Sequence, residues 1–138
     1  MAVANLILYF FVTKDLSDNE QMVRQLFQTN PLLIYISAVI VAPILEELVF
    51  RGSFYYVFKN PFLFIFVSGF LFGLIHVVNS ETIGQFLYII PYSIPGFVFA
   101  YALYKSKNFF VPIGLHFIHN GVLVSLQMVV YFFGGDII

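Results

Sequence analysis

The sequence predicts an all-α fold, a polytopic bundle of transmembrane helices with four full spans and a short N-terminal apolar helix. Of its 138 residues, 61% are apolar and only 9% charged, against about a quarter charged in an ordinary soluble domain. The apolar residues are gathered in runs long enough for helices of about 20 residues, the length that crosses a bilayer. Short polar turns separate the runs. The whole chain, 1–138, reads as one membrane domain.

The first run, residues 1–13, lacks a basic leader and a small-residue cleavage site and is read as a short or truncated span, not a signal peptide. Residues 14–30 form the one sizeable polar stretch. Within it Ser17 and Glu20 have capping-box spacing, and Met22, Val23, Leu26 and Phe27 recur at helical spacing. This suits a short amphipathic helix on the membrane surface, with a solvated connector as the alternative. The second span covers about 31–58, with Pro31 where a helix start tolerates proline. Lys59, Asn60 and Pro61 turn the chain into a third span over about 61–79, where Gly69 and Gly73 give the small-x-x-x-small spacing of closely packed helices. A fourth span over about 80–104 carries Pro91, Pro95 and Gly96, which predict a kink or break. The fifth segment runs over about 109–133.

Net charge is −1 with the charges scattered, so there is no basic stripe for nucleic acid and no polybasic lipid anchor. The absence of cysteine excludes disulfides, thiolate metal sites and a cysteine nucleophile. Lys59, Lys105 and Lys107 fall on one side of the bundle and Lys14 and Arg24 on the other, which favours the first side as cytoplasmic.

Charges inside spans are the informative exceptions, because each costs roughly 2.5–3.5 kcal/mol near the bilayer centre unless paired or facing a cavity. Glu46, Glu47 and Arg51 share the second span. Glu47 and Arg51, four apart with the acid first, suit an ion pair, while Glu46 points about 100° away on the helical wheel. At about 1.5 Å per residue, Glu46, His76 and Asn120 lie roughly 20, 23 and 18 Å from the lysine-bearing side, with His116 one turn shallower. They therefore share a middle layer on three helices. His116 and Asn120 lie on one face; His119 is offset and reads as a packing or interfacial histidine. For any lone histidine the ordinary role is a core residue bonded to a backbone carbonyl.

The run Ala42-Pro43-Ile44-Leu45-Glu46-Glu47-Leu48-Val49-Phe50-Arg51-Gly52 resembles the E-E-x-x-x-R motif of the CAAX protease and bacteriocin-processing (Abi) family. Phe72-Gly73-Leu74-Ile75-His76 resembles its F-x-x-x-H motif, and His116-Phe117-Ile118-His119-Asn120 its H-x-x-x-N motif. The three occur in order on successive apolar segments and cover about 31–125. The resemblance implies an intramembrane glutamate endopeptidase without cofactor or metal, in a bacterial cell membrane, acting on a membrane-associated peptide such as a prenylated CAAX tail or a bacteriocin. It implies Glu46 as the base that activates water, assisted by His76, with His116 and Asn120 stabilising the oxyanion and Glu47 and Arg51 holding the architecture. Family members commonly carry further helices around this core.

The residues themselves supply a proton acceptor and N–H donors for such a hydrolysis, and a fixed donor in a dry site stabilises a tetrahedral intermediate strongly. No serine carries a nucleophile motif. Glu46, His76 and His116 are also a chemically reasonable zinc set with an open fourth position, although no H-E-x-x-H pair is present. Two other classes remain: a non-catalytic immunity or regulatory membrane protein, and a small transporter with a proton-relay carboxylate, which would be expected to show an internal repeat. Oligomeric state is not legible.

Overall fold

The apolar runs fold as helices separated by capped turns, and a computed structural model describes residues 16–133 together with Leu8, Val12 and Thr13. The expected N-terminal apolar helix lies almost entirely outside the described residues. Among the described residues there is no strand. Among the described residues three helices are long and apolar enough to cross a membrane, Pro31–Val57, Ile83–Ser106 and Phe110–Val129, and Pro61–Ile75 is a shorter apolar helix.

Helix α1 spans Asp18–Thr29, and the Ser17 hydroxyl caps it by accepting from the Glu20 backbone N–H. The Glu20 carboxylate turns forward to Arg24 at 2.8 Å. The segment is helical, with Phe27 buried and Met22 and Leu26 exposed. Helix α2 runs Pro31–Val57, started by the Asn30 side chain, which accepts from Leu33 N–H ahead of Pro31.

Two wide, π-type turns interrupt α2, over Ser37–Val41 and Glu47–Gly52. The first follows from Pro43, which has no N–H to give and whose ring crowds the carbonyl four residues back. The chain responds by widening, so that Ala42 N–H bonds Ser37 O. In the second, the Ser68 hydroxyl donates to Phe50 O at 3.0 Å, a side chain inserted into the helical ladder.

Helix α3, Pro61–Ile75, begins at an Asn60 cap and ends at His76. Residues 76–79 turn instead of continuing the span expected to residue 79. Helix α4, Ile83–Ser106, opens with a Thr82/Gln85 capping box. Its break falls at Leu87–Tyr88, four residues ahead of Pro91, where the proline ring opposes the Leu87 carbonyl. Pro95 is carried inside the helix. Helix α5, Phe110–Phe133, is started by the Asn108 side chain, which accepts from Phe110 N–H.

Helices α3 and α4 form the closest pair, and glycine makes the approach. A methyl group on Gly69 would strike the Phe97 side chain, one on Gly73 the Ser93 hydroxyl, and one on Gly96 would lie 2.7 Å from Gly69 O. The small-residue spacing is a packing device, as read from the sequence. Burial is reversed relative to a soluble protein: Glu47, Arg51, Ser68 and His116 are inside, while Leu32, Leu33, Leu45, Leu48, Val49, Phe62 and Ile118 face outward. Lipid as the surrounding solvent explains both.

Gly73→Val and Gly96→Val are each expected to cost about 1–3 kcal/mol by overpacking, seen as a lower thermal midpoint in detergent. Gly114→Ala, whose added carbon meets nothing within 4 Å, should leave the midpoint unchanged or raise it. Equal effects at all three positions would contradict the close-packing role.

Candidate functional site

Glu47 and Arg51 lie in the second wide turn of α2, and both side chains have no exposed surface. Arg51 Nε is 3.2 Å from Glu47 Oε2, and Arg51 Nη2 donates to Gly96 O of α4 at 2.7 Å. The guanidinium carbon sits 4.7 Å from the Phe72 ring centre and 5.5 Å from that of Phe99, so two aromatic faces replace the water it has lost. The predicted ion pair is present and ties α2 to α4.

His116 of α5 is the hub. Its Nδ1 donates to Glu47 Oε1 at 2.9 Å, since a carboxylate only accepts, and its Nε2 lies 3.6 Å from Glu46 Oε2. The ring stacks on Phe99 at 4.6 Å. Adjacent carboxylates that point in different directions on the helix thus reach the two nitrogens of one imidazole. At 3.6 Å the Glu46 contact is longer than a hydrogen bond. Glu46 is the more open of the two acids: its side chain is 26% exposed, against 0% for Glu47.

His76, the C-cap of α3, donates from Nδ1 to Phe72 O at 2.7 Å. That bond fixes the proton on Nδ1 and leaves Nε2 of the neutral ring as an acceptor. Phe72 touches both histidines, its ring centre 4.8 Å from that of His76 and 5.5 Å from that of His116. On its other side His76 stacks on Tyr92 at 4.9 Å and 18°.

The Asn120 amide donates to Ala38 O on α2 at 2.9 Å. The backbone gives the reason. Ala38 O has lost its α-helical donor, because Ala42 N–H has moved to Ser37 O, and the residue one further on, Pro43, has no N–H. Asn120 supplies the missing donor and fastens α5 to α2. His119 packs edge-on against Phe99 at 5.9 Å, and its buried Nε2 has no hydrogen-bond partner among the described residues.

Glu46, Glu47, Arg51 and His116 therefore form one contiguous cluster, His76 joins it through Phe72, and Asn120 sits beside it as a fastener. Among the described residues no three His, Asp or Glu side chains are arranged to hold a metal ion. Sequence reasoning missed Phe99 and Tyr92, which pack against His116, His119 and His76. With 19 Phe and 9 Tyr in the chain, neither stood out. Phe72 was visible only as a motif position, and Ser68 had no signal.

A buried carboxylate–imidazole cluster between lipid-facing helices defines a helical membrane protein with a site inside its bundle. The chain belongs to the Rce1-like family: the family model described as "Type II CAAX prenyl endopeptidase Rce1-like" matches residues 28–122, a range that holds every cluster residue. It is also 32% identical over 115 residues to "Putative membrane peptidase YdiL" of Bacillus subtilis (strain 168). That match covers 81% of this chain and 44% of the relative, so the chain spans less than half the relative's length. No solved structure matches it.

Removing the Asn120 amide should expose the Ala38 carbonyl. Asn120→Ala is expected to cost about 1–3 kcal/mol, the range for orphaning a buried polar group, in reversible unfolding from mixed micelles. The loss should shrink when Pro43→Ala restores an N–H. An undiminished loss in the Pro43→Ala background would contradict this role.

Proposed function

We propose that the protein is a membrane-embedded endopeptidase that hydrolyses a peptide bond of a membrane-associated substrate with water activated by Glu46. One observation carries this reading: of two adjacent buried acids on one imidazole, Glu47 is locked by Arg51 and His116 Nδ1, while Glu46 keeps exposed surface beside His116 Nε2.

In this reading Glu46 takes a proton as the water oxygen bonds to the scissile carbonyl carbon. It returns that proton to the leaving nitrogen as the C–N bond breaks. His76, with its proton held on Nδ1 by Phe72 O, accepts from the water at Nε2 and orients it. His116, held by Glu47 and carrying a second proton on Nε2, donates to the oxyanion, and such fixed donors are strongest where water is excluded. Asn120 then acts by holding α5 in place. Glu47 and Arg51 keep the imidazole and the second turn of α2 rigid.

The family description and the membrane-peptidase relative support a protease, and prenylated CAAX-type tails and bacteriocin-like peptides are the two substrate classes proposed. The proposed setting is a bacterial cell membrane crossed several times, with α3 as a fourth crossing and the ends bearing Lys59, Lys105 and Lys107 in the cytoplasm. At 15 residues, or roughly 22 Å, α3 would leave its His76 end inside the hydrocarbon layer.

The test incubates the protein in lipid vesicles with prenylated and unmodified peptides, comparing the parent with Glu46→Gln. Cleavage should fall by about 10²–10⁴-fold, the usual contribution of a general base, with little change in thermal midpoint, and a chelator should leave the parent rate unaltered. Loss to a chelator, restored by zinc, would assign Glu46, His76 and His116 to a metal instead. A cellular phenotype that survives Glu46→Gln would favour a non-catalytic immunity or regulatory role.

A further inference from the structure

The Ser17–Tyr92 contact lies outside the cluster but touches one of its members. Tyr92 is buried in α4, where its ring lies nearly parallel to the His76 imidazole, 4.9 Å between centres. Its hydroxyl is 2.8 Å from Ser17 Oγ, and Ser17 is the fully buried N-cap of α1. The same tyrosine therefore bonds the surface helix at one end and covers a site histidine with its face.

His76 needs this cover. It stands at the C-terminal end of α3, where the chain turns, and its own hydrogen bond to Phe72 O fixes one ring nitrogen but not the tilt of the ring about that bond. Phe72 packs against it at 4.8 Å and Tyr92 at 4.9 Å. The hydroxyl end of Tyr92 is held by Ser17 and by the Asn19 side chain of α1. From Ser17 to His76 the contacts are continuous, and Tyr92 shares a buried cluster with Val77, Tyr88 and Ile89.

We infer that Tyr92 is a positioning residue for His76, and that the docking of α1 through Ser17 sets the orientation of that imidazole. This rests on the reading of His76 as the group that orients water. Tyr92 does not touch the reacting atoms; it limits the directions in which His76 Nε2 can point. Misplacing a catalytic group by about 1 Å can cost on the order of 10²-fold in rate, so the effect should appear in kcat while KM stays within about twofold.

The experiment uses the full chain in lipid with the imidazole nitrogens labelled with ¹⁵N. Tyr92→Leu removes the stacking ring, Tyr92→Phe keeps the ring and drops the hydroxyl, and Ser17→Ala removes one partner of that hydroxyl. In the parent, the His76 nitrogens should report the form with the proton on Nδ1. Tyr92→Leu should shift both His76 resonances and lower kcat on the order of tenfold or more. Tyr92→Phe, which drops the bonds to both Ser17 and Asn19, should give a smaller change than Tyr92→Leu, and the Ser17→Ala effect should shrink in the Tyr92→Phe background, the signature of a shared contact. Should Tyr92→Leu fail to fold, those two milder variants carry the test.

Variants that lower the thermal midpoint but leave the His76 resonances and kcat unmoved would reduce Tyr92 to packing and overturn the inference. Failure of the peptidase reading looks different: the parent then cleaves nothing, and the His76 resonances alone decide whether Tyr92 holds the ring.

Discussion

The carboxylate of Glu47 has no exposed surface, and an isolated charge in such a place would be very costly. Its two oxygens meet Arg51 of its own helix and His116 of α5, and Arg51 continues to the Gly96 carbonyl of α4. Three helices are thereby committed to one another by a group that cannot be left alone. In lipid, where burying apolar surface adds little to helix association, such a linkage fixes which faces meet. It also settles which acid remains available, since Glu47 is enclosed and its neighbour is not.

A second pattern is the capture of backbone carbonyls by side chains. Asn120 donates to Ala38 O, Ser68 to Phe50 O, His76 to Phe72 O and Arg51 to Gly96 O. Irregular helix within a membrane is tolerated only where protein covers the freed groups, and two of these carbonyls lie in the wide turns of α2. Much of the polarity buried in the apolar segments is engaged in this way. Glu46 and the far nitrogens of His116 and His76 take no part in this capture.

Much of this could be read beforehand. The proline-preceded starts at Asn30–Pro31 and Asn60–Pro61, the close approach at Gly69 and Gly73, and the Glu47–Arg51 pair follow from local rules of capping, sterics and helical spacing. The grouping of Glu46 with His116 followed from depth. The wide turns did not, because apolar periodicity does not distinguish a bond to the fourth residue back from one to the fifth; Pro43 within the run was the readable sign. The end of α3 at His76 was hidden by apolar Val77 and Val78, which extend the hydropathy past the helix. The Asn120–Ala38 bond was not legible, because the spacing of Asn120 from His116 shows a shared face but not which carbonyl on α2 lacks a donor. Tyr92 has no local signature at all, and only the folded chain brings it to His76.

The central claim is that Glu47 and His116 act as one coupled unit, and a double-mutant cycle tests it directly. Stability would be measured in mixed micelles for Glu47→Gln, His116→Gln, the pair and the parent. The account predicts a coupling energy in the upper part of the usual range of about 0.5–3 kcal/mol for contacting residues, because the bond is charged and shielded from water. Additive losses, with no coupling beyond about 0.5 kcal/mol, would contradict it.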